Sequence, residues 1–407
     1  MVNSNRLWER LQQLSKIGAT GNGGVTRLSF TNEERKAKDL VAGFMKEAGL
    51  SVREDEAGNL IGRMEGTIAG APVVMTGSHI DSVFDGGNFD GPLGVLAAIE
   101  ALQTMDEEGV SVEHPIEVVA FTDEEGARFS FGMLGSRAIA GLITGEELMN
   151  RDKNGVPIAE AMKAMGLDPK EIAKAARKKE EVKSYIELHI EQGKVLEKEN
   201  LPVGVVSGIA GPLWMKFTVE GEAGHAGNTP MGIRRDAMTA AARMILMIEQ
   251  EAYKTGSSVG TVGQLNLFPG GINIIPGRVE FSLDLRDINE ETRDEIERAI
   301  LKEAGRIAEE QGVKLSVEDL QRIPPAPCDG EIQQAVRESI AEAGLQTTIL
   351  PSGAGHDGMQ FTGLWPIGMI FVRSKNGISH DPAEWTSQED CAAGAEVLYR
   401  TLLKLAN

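Results

Sequence analysis

The chain predicts an α/β protein with a mixed sheet, interrupted by a smaller inserted α+β domain, and three observations carry that expectation. Its 407 residues exceed one ordinary hydrophobic core, given roughly 150 residues per domain. Helical-period segments alternate with short β-rich runs through the first half, as in a sheet covered by helices. From Leu213 to Asp319 the order changes to β-α-β-β-α-β, which predicts a four-stranded sheet with two helices.

In chain order, Glu33 to Ala48 has helical periodicity, and Val73 to Thr76, Ile116 to Phe121 and Tyr185 to Leu188 are β-rich. Asp90-Gly91-Pro92-Leu93-Gly94 opens a helix over Val95 to Met105, with Asp90 at the N-cap position and Pro just inside. Lys170 to Lys183 reads as a charge-dense helix whose charges form a solvated face. Turn chemistry at Gly208-Ile209-Ala210-Gly211-Pro212 marks a break. Beyond it, Leu213 to Glu220 and Val279 to Leu285 alternate as half-buried strands. The helix Arg235 to Tyr253 and the strand Ser258 to Leu267 lie between them, and the helix Asn289 to Gln311 and the strand Lys314 to Asp319 follow. Pro324-Pro325-Ala326-Pro327 leaves the insert, and Ile367 to Val372 reads as a buried strand. The expected domains are therefore 1–210 with 328–407, and 211–327.

Hydrophobic residues make up 41% and charged residues 25%, the balance of a soluble globular chain. A net charge of -20 without a basic stripe argues against nucleic acid as a partner. An anionic substrate would then need a local cation. Residues 1–10 lack the apolar core of a signal peptide, and no apolar run approaches the ~18 residues of a membrane span. Cys328 and Cys391 form no Cys-x-x-Cys pair, which fits a reducing cytoplasm and leaves no thiolate zinc site.

Five of the six histidines and most of the unusual carboxylates fall just after predicted strands or in Gly-rich loops, where α/β sheets place their ligands. His79 follows Val73 to Ser78, and extended spacing puts Asp81 on the same face, able to orient the imidazole. Thr122-Asp123-Glu124-Glu125-Gly126 crowds three carboxylates after a strand, a cost that a cation or a bound proton relieves. Adjacent side chains in an extended segment point apart, so one Glu can bind metal while the other faces substrate as a base. His189 with Glu191-Gln192-Gly193, and Ser379-His380, add two more histidines. Three His with two or more carboxylates suit zinc, manganese, cobalt or nickel better than calcium. A bridging carboxylate would hold two ions about 3.5 to 4 Å apart, an arrangement suited to hydrolysis.

In this order, Ser78-His79-Ile80-Asp81, Asp90-Gly91-Pro92-Leu93-Gly94, Asp123-Glu124-Glu125-Gly126, His189-Ile190-Glu191-Gln192-Gly193 and Ser379-His380 closely resemble the N-carbamoyl-L-amino-acid amidohydrolase family, over essentially the whole chain. That family is similar to dinuclear aminoacylases and carboxypeptidase-type metallopeptidases, many of which carry an acidic ligand where this chain has His189. The resemblance implies that His79 and His189 hold one divalent ion, that Glu125 and His380 hold the other, that Asp90 bridges them and that Glu124 is the base. It also implies that the insert is a lid and homodimerisation domain, with His225 stabilising an oxyanion and Arg286 and Asn273 binding a substrate carboxylate. Gln192 would bond the ureido group of a small ureido-acid substrate, and Gly353 to His356, with Gly355 and His356, would line the pocket. An allantoate or ureidoglycine-type amidohydrolase shares the metal motifs and differs chiefly in substrate contacts.

Overall fold

The computed structural model describes residues 1–407. Its internal contacts divide the chain into two compact units, Met1–Ser207 with Cys328–Asn407, and Gly208–Pro327.

The first unit is built on a mixed sheet with strands in the spatial order Ser51–Glu54, Leu60–Met64, Ile116–Phe121, Val73–His79, Val182–Ile190, Ile367–Val372, Val203–Ile209. The four strands from Ile116–Phe121 to Ile367–Val372 run parallel to one another, and the flanking ones are antiparallel. Val73–His79, Ile116–Phe121 and Ile367–Val372 are buried at every residue, as expected of parallel strands covered on both faces. The helix Pro92–Glu107 is largely apolar and nearly wholly buried, as a core helix is, and its one fully buried charge, Glu100, pairs with Arg6. It packs on Val73–His79, on Val182–Ile190 and on the helix Gln388–Leu405. Asn32–Glu47 starts at Thr31, whose side chain accepts the Glu34 N–H, an ordinary N-cap. Because the central strands are parallel, their C-terminal ends share one edge, and that edge is where His79, the Asp123 to Glu125 loop and His189 emerge.

The charge-dense helix expected over Lys170 to Lys183 is absent. Pro169–Ala175 and Lys179–Glu181 are 3₁₀ turns, and Val182 already begins the strand beside Val73–His79. The sheet takes only Val182 and Lys183 of that span; nothing in the pairing accounts for the rest.

The second unit carries an antiparallel sheet in the order Leu265–Phe268, Arg278–Asp287, Gly211–Glu220, Lys314–Arg322. A fifth strand, Val259–Thr261, also pairs with Arg278–Asp287, so the expected four-stranded sheet has five. The single strand expected over Ser258 to Leu267 is broken near Gly263, where Gln264 and Ser282 exchange hydrogen bonds across an irregular step. Helices Ala237–Tyr253 and Glu290–Gln311 bury Leu213, Met215, Phe217 and Val219 with Val279, Phe281, Leu283 and Leu285, the inward half of each alternating strand. Phe217 and Phe281 sit directly opposite each other and stack at 4.9 Å between ring centroids. A separate two-residue ladder pairs Gly224–His225 with Ile274–Ile275. No helix in either unit is long and apolar enough to cross a membrane.

Candidate metal centre

His79 is the last residue of its strand, and His189 lies on the neighbouring one. Each ring is anchored through Nδ1 by a main-chain carbonyl, that of Asp81 at 3.2 Å and that of Ile190 at 2.9 Å. Carbonyls only accept, so this network assigns the ring proton to Nδ1 and leaves the Nε2 lone pair for a metal. Both Nε2 atoms face Asp90 Oδ1, at 3.6 Å from His79 and 3.1 Å from His189. The other Asp90 oxygen lies 3.1 Å from His380 Nε2, which is 3.5 Å from Glu125 Oε2. Asp90 thus belongs to two ligand groups, His79/Asp90/His189 and Asp90/Glu125/His380, which share its carboxylate; a third buried group, Glu187/His189/His356, meets the first at His189. Glu124 Oε2 lies 3.7 Å from His79 Nε2.

Asp90 is therefore not the helix cap that its position predicts. The cap is Gly91, with φ 82°, and no side chain caps that end. A Cβ at Gly91 would fall 2.5 Å from the His79 ring, so both the backbone conformation and the clearance call for glycine. Freed from capping, the Asp90 carboxylate receives bonds from Gln192 Nε2 at 2.7 Å and Ser379 Oγ at 2.7 Å.

Asp81 stands 3.6 Å from His79 Nδ1, yet its two oxygens also accept the successive N–H groups of Glu124 and Glu125, both at 3.2 Å. It thus sets the loop as well as the imidazole. Asp123 turns away: with φ 56° it is buried against Ser29, whose hydroxyl donates to it at 2.5 Å. Of the three clustered carboxylates, only Glu124 and Glu125 face the histidines.

Electrostatics fit a cation. Burial and then neighbouring charge, led among the carboxylates by Asp357, push Glu124 well above the usual carboxylate range. Burial and then Asp90 bring Glu125 to about 7. Asp90 is the reverse: burial would raise it, but bonds from His189, His380 and His79 hold it well below its ordinary value. His380, bonded to Asp90, is raised to about 9. The mixed nitrogen and oxygen donors fit a transition-type divalent ion in the same place.

His356 is buried behind His189, their ring centroids 4.4 Å apart, with Nε2 2.8 Å from Ser352 Oγ. Burial keeps it neutral, well below the usual histidine range. Gly355 leaves room for Met133, whose methyl would lie 3.0 Å from a Cβ there. Gln192, at φ 56°, uses its Nε2 on Asp90, while its Oε1 is buried without a partner.

In the second unit, His225 is brought beside Asn273, whose carbonyl accepts the Ala226 N–H at 2.9 Å. His225 Nδ1 accepts the N–H groups of Gly227 and Asn228 at 3.1 and 3.2 Å, which assigns its ring proton to Nε2. Arg286 forms a two-pronged pair with Asp284, at 2.9 and 2.8 Å.

Two features escaped sequence reasoning. Glu187 lies below the histidines and accepts Ser78 Oγ at 2.8 Å and Tyr185 OH at 2.9 Å. Its signal was present, since a charged residue two places before His189 in a buried strand shares the histidine's face. Glu384, fully enclosed beside Asp90, had none in the local pattern.

The family model for peptidase family M20/M25/M40 matches residues 75–404, a span that takes in His79, Asp90, Glu125, His189 and His380. The chain belongs to this peptidase family. Within the M20/M25/M40 family, the chain is 60% identical to the N-carbamoyl-L-amino acid amidohydrolase of Geobacillus stearothermophilus, over 100% of this chain and 99% of that protein. It is 44% identical to an N-carbamoyl-L-amino-acid amidohydrolase of Pseudomonas sp. (strain NS671), covering 99% and 98% of the two chains. Among solved structures, an amidase of the hydantoinase/carbamoylase family from Burkholderia multivorans superposes with a TM-score of 0.93. That chain is 37% identical, with coverage of 100% and 98%.

Proposed function

We propose that this amidohydrolase cleaves the carbamoyl C–N bond of N-carbamoyl-L-amino acids, yielding the L-amino acid, ammonia and carbon dioxide. The observation that carries this reading is the pair of ligand groups sharing Asp90, in a chain 60% identical to a protein of that name. His79 and His189 would hold one divalent ion and Glu125 and His380 a second, with Asp90 between them; manganese, cobalt, nickel and zinc all suit the donors. Divalent ions held there would supply a water of lowered pKa and polarisation of the substrate carbonyl.

The remaining work falls to side chains. Glu124 takes a proton from the attacking water and returns it to the departing amine, a role suited to a carboxyl raised by burial. The carbamic acid released decomposes to ammonia and carbon dioxide, so one water is consumed per turnover. His225, with its proton on Nε2, is the donor to the developing oxyanion. Arg286 and Asn273 bind the substrate carboxylate, and Gln192 Oε1, buried without a partner, accepts a ureido N–H. Gly355 and His356 back this pocket. The second unit acts as lid and homodimerisation domain.

The test is ammonia release by manganese- or cobalt-reconstituted protein on N-carbamoyl-L-methionine, its D-enantiomer and allantoate. Preference for the L-carbamoyl acid is the expected result. Preference for allantoate moves the protein to the allantoate reading with the same metal centre, and silence on all three overturns both.

A further inference from the structure

Glu384 lies four residues beyond His380, in the same loop, and only 3% of it is exposed. Its Oε1 accepts the backbone N–H groups of Phe89 at 2.8 Å and Asp90 at 3.0 Å. Its Oε2 lies 2.8 Å from Ser379 Oγ, which is itself 2.7 Å from Asp90 Oδ2. A buried carboxylate is tolerated only when its lone pairs are used, and these bonds all go to the segment of Asp90 or to the neighbour of His380. The two segments lie far apart in sequence and share no strand, so main-chain pairing does not fix their separation. Gly87 completes the arrangement: a Cβ there would fall 2.0 Å from the Glu384 carboxyl carbon. Its φ lies outside the left-handed region, so clearance rather than backbone freedom calls for glycine.

We propose that Glu384 is a positioning residue that clamps the Asp90 and His380 segments together and thereby sets the affinity of the ion held by Asp90, Glu125 and His380. The proposal rests on the two-ion reading above. Glu384 belongs to none of the ligand groups; it acts through the backbone of Asp90 and through Ser379. Outer groups of this kind typically contribute 10- to 100-fold in metal affinity.

The experiment is manganese titration of the full chain, with metal content after dialysis, the electron paramagnetic resonance signal that separates coupled from isolated ions, and thermal melts of the metal-free proteins. Wild type is expected to take up two ions. Glu384→Ala should weaken the second ion about 10- to 100-fold and leave the first close to wild type. Glu384→Gln should restore most of the loss, because an amide oxygen still accepts both N–H groups and its NH₂ still reaches Ser379. Gly87→Ala, which displaces the carboxylate without removing it, should weaken the same ion, and should add nothing in a Glu384→Ala background. If Glu384→Ala does not fold, Gly87→Ala decides. Unchanged affinity for both ions alongside a lowered melting point would make Glu384 merely structural and overturn the proposal, as would equal weakening of both ions. A wild-type chain that takes up a single ion overturns the two-ion reading and this proposal with it.

Discussion

His189 Nε2 stands 3.1 Å from one oxygen of Asp90, and the second oxygen of that carboxylate stands 3.1 Å from His380 Nε2. One side chain therefore serves both ligand groups. Asp90→Asn keeps the shape but leaves an amide nitrogen at one of the two positions. Manganese affinity should fall by more than the 10- to 100-fold typical of outer groups, and both ions should be affected. Metal content after dialysis checks this; two retained ions would remove Asp90 from the bridging role.

Glu124 lies close to His79 but outside both ligand groups. Glu124→Gln should keep wild-type metal content and lose about 10²- to 10⁴-fold in kcat, the usual range for a general acid–base group. Single-turnover ammonia release on N-carbamoyl-L-methionine measures it. Near-normal turnover would take the base role from Glu124.

Most of this centre was legible because parallel strands deliver their C-terminal ends to one edge, and His79, the Glu124 to Glu125 loop and His189 follow that rule. What sequence periodicity cannot show is where a loop side chain turns. Asp90 sits in a good capping position, yet Gly91 takes the cap and the carboxylate faces three histidines. Asp123 is adjacent to Glu124 and points to Ser29 because its backbone is left-handed. Glu384 meets Asp90 only through tertiary folding, which no local spacing encodes. The strand broken at Gly263 was missed for a related reason: both halves alternate as one strand would, and only the shared partner Arg278–Asp287 reveals two.

Metal uptake should release protons. In the metal-free chain His380 has its pKa raised from 6.5 to about 9, chiefly by its bond to Asp90, so it is charged at neutral pH. That raised value stabilises the metal-free fold fully below about pH 6.5, and the contribution is lost as pH passes about 9. An ion accepts only the neutral ring, so affinity should fall about tenfold per pH unit for each displaced proton as pH drops below 9. Below about 7 the Glu125 proton adds to the slope. Calorimetric titration at pH 7.5 in buffers of different ionisation enthalpy reads the release directly; identical heats would contradict it.

Self-association should follow the edge of the second unit. Leu265–Phe268 pairs on one side only, with Leu267 and Phe268 exposed at 38% and 46%. An open apolar edge is a liability unless covered. Sedimentation velocity should show a dimer for wild type and a monomer for Leu267→Lys. A monomeric wild type would end the homodimer proposal.

Gly91 makes the sharpest test of how fold and chemistry meet. Its φ of 82° is one that L side chains rarely adopt, and its missing Cβ is the space taken by the His79 ring, 2.5 Å away. Gly91→Ala must therefore either distort the turn before the helix Pro92–Glu107 or push His79 off its line to Asp90. Strain of this kind costs on the order of 1–3 kcal/mol, which a unit with so large a buried core should survive. The helix itself stays anchored by its packing on two strands, so far-ultraviolet dichroism should be near wild type while manganese affinity falls about tenfold or more. Normal metal binding would mean that the ring moves aside freely, and that the Nδ1 bond to the Asp81 carbonyl does not fix it.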